Sequence, residues 1–227
     1  MEQGNVGGEE RSERGASYGD ARSLNPQAGH HAVTRDPVEL AAAARAVTRS
    51  WAEFPYYARR YGARGRAFSA SDSGWLVTLC DLTPAVAVSQ ARWLGSVLSA
   101  RGMPQWLLER HLDLLHEELA ATLPERAAHY EALGRCAANL RTLRRAHLAD
   151  DDFAALEAAF DERVGAPWNR RLRRMGGILA AAVADERAGL SHAVASVESW
   201  ATDAEHFPAE WIAAVTETIA DARRRAR

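Results

Sequence analysis

Six of the chain's eight prolines stand directly ahead of an apolar stripe with helical spacing, and no segment alternates apolar and polar residues with the period of a β-strand. Proline is favoured in the first helical turn, where its missing N–H has no intrahelical acceptor to lose. Asp36-Pro37 therefore reads as N-cap and first residue of a helix, with Val38, Ala42, Ala46 or Val47, and Trp51 on its apolar side. Thr83-Pro84 starts another, burying Val86, Val88, Trp93, Leu94 and Val97, and Arg101-Gly102 ends it. Pro104 opens a helix whose Leu107, Leu108, His111, Leu112, Leu115 and Leu119 share one wide face. Pro124, Pro167 and Pro208 open three more. Between Pro55 and Thr83 the pattern predicts a short helix PYYARRY, a loop opened by Gly62 and Gly65, and a helix capped by Ser71 or Asp72 that carries Trp75, Leu76, Leu79 and Leu82. Asp151 or Asp152 caps a further helix, and Leu190–Glu205 forms another. The expected fold is an all-α bundle of about eight or nine helices.

Residues 1–35 are rich in Gly, Ser, Glu and Arg and poor in large apolar side chains, so a disordered N-terminal tail is expected there, with His30 and His31 incidental. Residues 36–227 then form the helical domain. Trp93 followed by Met103-Pro104-Gln105-Trp106 is echoed by Trp200 followed by Phe207-Pro208-Ala209-Glu210-Trp211, which suggests pseudo-repeat halves at 36–123 and 124–227.

All 28 basic residues are arginines, the mark of a GC-rich bacterial coding bias, and the formal charge of −2 gives no overall attraction to nucleic acid or a membrane. No apolar run reaches the ~18 residues of a membrane span and the N-terminus has no apolar leader core, which points to a cytoplasmic protein. Cys80 and Cys136 read as small core residues.

No catalytic signature is present. Asp113/His116, Glu125/His129 and Asp203/His206 each pair a carboxylate with an imidazole, but the two Glu-x-x-His motifs of a di-iron bundle are missing, so no metal ligands are assigned. Asp150-Asp151-Asp152 falls where a helix needs its cap, and Gly176-Gly177 sits inside a helical pattern instead of between strand and helix. Aromatic residues and arginines are densest between Trp51 and Trp75. Tyr56, Tyr57 and Trp75, interleaved with Arg60, Arg64 and Arg66, suit a cavity for a flat, conjugated, carboxylated ligand: rings stack on it and guanidinium groups pair with its acids. Trp106 and His111 face this region from the helix after Pro104. The competing explanation is that the tryptophans fill the core and His111 is a satisfied core histidine.

The segments RYGARGRAFSASDSGWLVTL, WLGSVLSARGMP and HLDLL resemble a helical domain of bacterial cobalamin-binding and bilin-binding sensor proteins, over about Phe54 to Leu119. The resemblance implies a multi-helix sensor domain that can hold a tetrapyrrole. Trp75 stands where that family carries a His, and the chain has no strands from which to build a cobalamin-binding α/β domain.

The leading expectation is a non-enzymatic binding or sensor protein that takes a tetrapyrrole (biliverdin, haem or a cobalamin-like molecule) through Tyr56, Tyr57, Arg60, Arg64, Arg66, Trp75, Trp106 and His111. Two alternatives stand beside it: a helical protein–protein interaction module without cofactor, a homodimer included, and a carboxylate/histidine metal enzyme of di-iron type.

Overall fold

The computed structural model describes residues 18–227. Nine helices make up almost all of this part: α1 Pro37–Glu53, α2 Tyr56–Thr78, α3 Pro84–Ser99, α4 Gln105–Thr122, α5 Ala127–His147, α6 Asp150–Arg171, α7 Met175–Arg187, α8 Ala193–Ala201 and α9 Ala209–Arg225. The proline rule holds at α1 and α3, where Pro37 and Pro84 occupy the first turn, and Asp36 accepts the Val38 N–H at 2.8 Å as N-cap. Helices α1–α5 enclose one core cluster around Leu76, Leu112, Leu115, Leu119, Tyr130 and Leu133. A second cluster joins α6–α9 to Phe54, Tyr56, Tyr57, Trp106 and Leu107. The boundary between cores thus follows α5, not residue 123, because Tyr130, Leu133 and Leu140 pack inward with α4.

The expected tail is corrected in part. Tyr18–Asp20 (β1) pairs antiparallel with Ala32–Thr34 (β2), Tyr18 opposite Thr34, and Ala21, Ala28 and Val33 bury against Leu24 and Trp75. His30 is engaged as well, its ring nitrogens lying 2.7 Å from Asp20 and 2.9 Å from Arg22. The anchor is a buried Glu39 carboxylate that takes the Thr34 hydroxyl, the Tyr130 hydroxyl at 2.8 Å and the Arg126 guanidinium at 2.7 Å. The remainder of the expected tail, residues 1–17, lies outside the described residues.

Four local expectations also change. No loop separates Gly62 from Ser71: Gly62 alone leaves helical geometry (φ 56°) and α2 resumes at once, so Ser71 and Asp72 lie mid-helix. Gly165 (φ 71°) breaks α6 likewise, and Arg174 (φ 66°) separates α6 from α7 where one continuous helix was expected after Pro167. The Asp150–Asp152 run makes no side-chain cap; Asp150 instead holds Arg144 at 3.1 Å and Arg145 at 2.5 Å. Val38, Leu82, Val86 and Trp93, expected inside, are exposed, and Ala87, Ala91 and Leu94 form the buried face of α3. Gly176 and Gly177 serve close approach: a Cβ there would lie 2.7 Å from Phe160 and 2.8 Å from the Trp106 ring.

Candidate functional site

Where the two core clusters meet, a pocket of about 610 Å³ opens between α1, α2, α3 and α4. After the break at Gly62, α2 presents one lining stripe at helical spacing: Arg64 and Gly65, Phe68 and Ser69, Asp72 and Ser73, then Leu76. Trp51 and Ser50 come from α1, Leu94 and Leu98 from α3, and Leu107, Leu108 and His111 from α4. The rings of Trp51 and Tyr57 stack at 5.5 Å and 16°, giving a flat wall. Burial pushes the Tyr57 and Tyr61 phenols well above their ordinary range, so both stay neutral. A cavity of this size lies within the ~300–1,000 Å³ span of small-molecule sites.

Polar groups enter this apolar space at a few points. Ser73 donates to the Ser69 carbonyl at 2.6 Å and meets His111 Nε2 at 2.8 Å. Burial lowers the His111 imidazole to about 4, which leaves it neutral at physiological pH. Asp72 has no hydrogen-bond or ion-pair partner among the described residues; burial raises its carboxyl to about 6, with Arg101 pulling weakly the other way. The Ser50 hydroxyl, near the Tyr57 phenol, is buried without a full hydrogen bond.

Four of the eight expected residues line this pocket: Tyr57, Arg60, Arg64 and His111. The other four do not. Tyr56 is fully buried behind it, donating its hydroxyl to the Gly102 carbonyl at 2.5 Å. Arg66 lies over the Trp51 ring at 5.5 Å and bonds Thr48 at 3.0 Å, outside the cavity. Trp75 turns to the hairpin and meets Trp93 edge-on at 6.2 Å. Trp106 packs between Phe54 and Phe153 with the Arg174 guanidinium 4.6 Å above its ring.

The arginines differ in availability. Arg60 is committed to the Tyr56 hydroxyl and, at 2.5 Å, the Ser196 carbonyl. Arg64 bonds Gln27 through Nε and rests on Phe68. The Arg101 carbonyl accepts the Tyr61 hydroxyl at 3.0 Å, but its guanidinium, exposed at the rim, has no hydrogen-bond or ion-pair partner among the described residues. Asp72, Arg101, Ser73 and Trp51 carry much of the site, and the helical stripe from Arg64 to Leu76 is the sequence signal that places the first and third of these.

The carboxylate–imidazole pairs do not converge. Asp113 binds Arg141 at 2.5 Å, His116 faces Glu131 at 3.7 Å, His129 faces Asp81 at 3.4 Å, and His206 meets Asp203 at 2.8 Å. Among the described residues no three His, Cys, Asp or Glu side chains gather to hold a metal ion. No helix among the described residues is long and apolar enough to cross a membrane. Comparison with known proteins finds no match to a family model, to a curated protein or to a solved structure.

Proposed function

We propose that this is a small-molecule-binding protein, of sensor rather than catalytic type, which takes a flat conjugated ligand into the pocket between α1, α2, α3 and α4. The pocket itself carries the proposal: about 610 Å³, walled by Trp51, Tyr57, Tyr61 and Phe68, with Arg64 and Arg101 at its rim. Rings of that kind stack on a planar ligand, and a partnerless guanidinium receives its carboxylate. Biliverdin and haem are the ligands to try, in line with the resemblance of Phe54–Leu119 to tetrapyrrole-holding sensor domains. Among the described residues, the chain offers stacking walls, rim charge from Arg101 and a neutral imidazole at His111 to such a macrocycle. The test is visible absorption of purified protein titrated with biliverdin or haem. A shifted band that weakens in Trp51→Ala and Arg101→Gln is expected; no spectral change at micromolar ligand sinks the tetrapyrrole assignment.

One observation favours a second reading, an interaction module. Val86 and Trp93 lie seven residues apart on α3 and are 45% and 59% exposed. An apolar helix face of this kind suits a protein partner or a second copy of the chain. Sedimentation of wild type against Trp93→Ser separates the cases, since only an interface would change its association state.

A further inference from the structure

The pocket holds acceptors that the protein itself leaves without donors. The Ser73 hydroxyl has one proton, and its 2.6 Å bond to the Ser69 carbonyl uses it. With that proton on the shorter bond to Ser69, the 2.8 Å contact with His111 Nε2 is one that Ser73 accepts and the ring donates. A neutral imidazole protonated at Nε2 carries a lone pair at Nδ1. No described residue donates to that Nδ1, and none donates to the Asp72 carboxylate. Both residues line the cavity, as does Ser50, whose buried hydroxyl lies near the Tyr57 phenol without a full hydrogen bond. The Asp72 and His111 side chains are half-buried and open into the cavity, so an occupant that fills it takes their solvent away and must supply what that solvent supplied, because an unmatched buried polar group costs free energy. On α1, α2 and α4, the charged or titratable groups lining this space are Tyr57, Arg60, Tyr61, Arg64, Asp72 and His111, with Arg101 after α3; the Tyr61 hydroxyl is spent on the Arg101 carbonyl at 3.0 Å.

We infer that the occupant of this pocket is a hydrogen-bond donor: an aromatic molecule whose N–H or O–H groups point inward at Asp72 and His111 Nδ1, with an acidic arm at Arg101 on the rim. The inference rests on the pocket being a ligand site, and it narrows the ligand class from any flat acid to flat acids that carry inward donors. An aromatic acid without such donors leaves the carboxylate and the imidazole nitrogen desolvated and unmatched. Serine at 50 can serve either role.

A pair of probes in which one N–H donor is replaced by N–CH3 tests this on the full chain, with Asp72→Leu separating the lost donor from the added methyl: indole-3-butyrate and its 1-methyl derivative, each displacing the fluorescent dye 1-anilinonaphthalene-8-sulfonate. Leu98→Trp, which fills the cavity, locates the dye. Dye enhancement in wild type that is lost in Leu98→Trp is expected; dye binding unaffected by that substitution overturns the pocket as ligand site, and this inference with it. With the pocket confirmed, indole-3-butyrate should displace dye at about tenfold lower concentration than the methylated form, the scale of one charge-assisted hydrogen bond. That preference should fall to near unity in Asp72→Leu. Equal displacement by both indoles in wild type overturns the inference while leaving the pocket standing. Asp72→Leu should melt no lower than wild type; a lower midpoint would make Asp72 a structural residue and overturn its assignment.

Discussion

Tyr56 donates its hydroxyl to the carbonyl of Gly102 at 2.5 Å, tying the start of α2 to the turn that ends α3. Arg60 completes the joint by bonding the Tyr56 hydroxyl and the Ser196 carbonyl, so three segments meet behind the pocket. Gly102 has φ +82°, and a Cβ there would strike the Arg60 guanidinium. Gly102→Ala is thus strained by backbone and neighbour together, and should destabilise by about 1–3 kcal/mol. Tyr56→Phe should cost about 1–3 kcal/mol by leaving the Gly102 carbonyl and Arg60 short of a partner. Urea denaturation measures both; wild-type midpoints would show the joint to be dispensable.

The hairpin ahead of α1 should contribute measurably to stability. Val33 and Leu24 pack against Gly74, where a Cβ would lie 2.9 Å from Leu24, and Thr34 binds Glu39. Deleting the chain through Arg35 exposes this face of α2 and removes one donor from a buried carboxylate. A fall of the melting midpoint by more than ~5 °C is expected. An unchanged midpoint would mean that the helices alone hold the fold.

Leu112 and Leu115 sit fully buried in the first core, on the face of α4 that the leucine spacing marks. Either one changed to Ala should cost about 2–5 kcal/mol. Chemical denaturation reads this directly, and wild-type behaviour of both variants would place that face elsewhere.

The helices were legible because proline starts and 3.6-residue stripes repeat along the chain. The hairpin was not: its buried members are Ala21, Ala28 and Val33, too small and too few to mark a strand against a polar background. Gly62 misled in another way. One residue at φ 56° absorbs the whole change of direction, so what read as a loop is a break inside α2. Residue type announced the aromatic and arginine-rich region, yet type alone does not say which side of a helix faces the cavity. Hence Tyr57 and Arg64 line the pocket, whereas Trp75, one position before Leu76, faces the hairpin and Trp93. Trp106 was drawn away by a partner far in sequence, the space left above Gly177 and below Arg174.

Asp72 should make the unliganded protein less stable than it could be. Its carboxyl is raised to about 6 by burial against an ordinary 3.8, so its contribution to stability is fully present below about pH 4 and lost as pH rises through 6. Asp72→Asn removes that dependence. Relative to wild type, the variant should gain stability between pH 4 and 7, by about 1–3 kcal/mol at neutral pH. Asp185, also raised to about 6, is present in both proteins and cancels in the difference. Melting midpoints of the pair at pH 4, 5, 6 and 7 test it; a constant difference would mean that Asp72 titrates normally.

His111 works in the opposite sense. Folded, it stays neutral down to about pH 4, whereas an exposed imidazole takes its proton near 6.5. It therefore contributes stability that is complete above about pH 6.5 and lost as pH falls towards 4, when the unfolded chain binds the proton more readily. The bond to Ser73 also fixes where its single proton sits at neutral pH. Ring nitrogen chemical shifts of labelled protein should report the Nε2–H form, with a titration midpoint near 4. Ser73→Ala removes the acceptor and should relax the tautomer towards a mixture, while Ser73→Thr, which keeps the hydroxyl, should preserve it. An Nδ1–H ring in the wild type would show that Ser73 donates to His111, and that the pocket presents a donor where an acceptor is assigned.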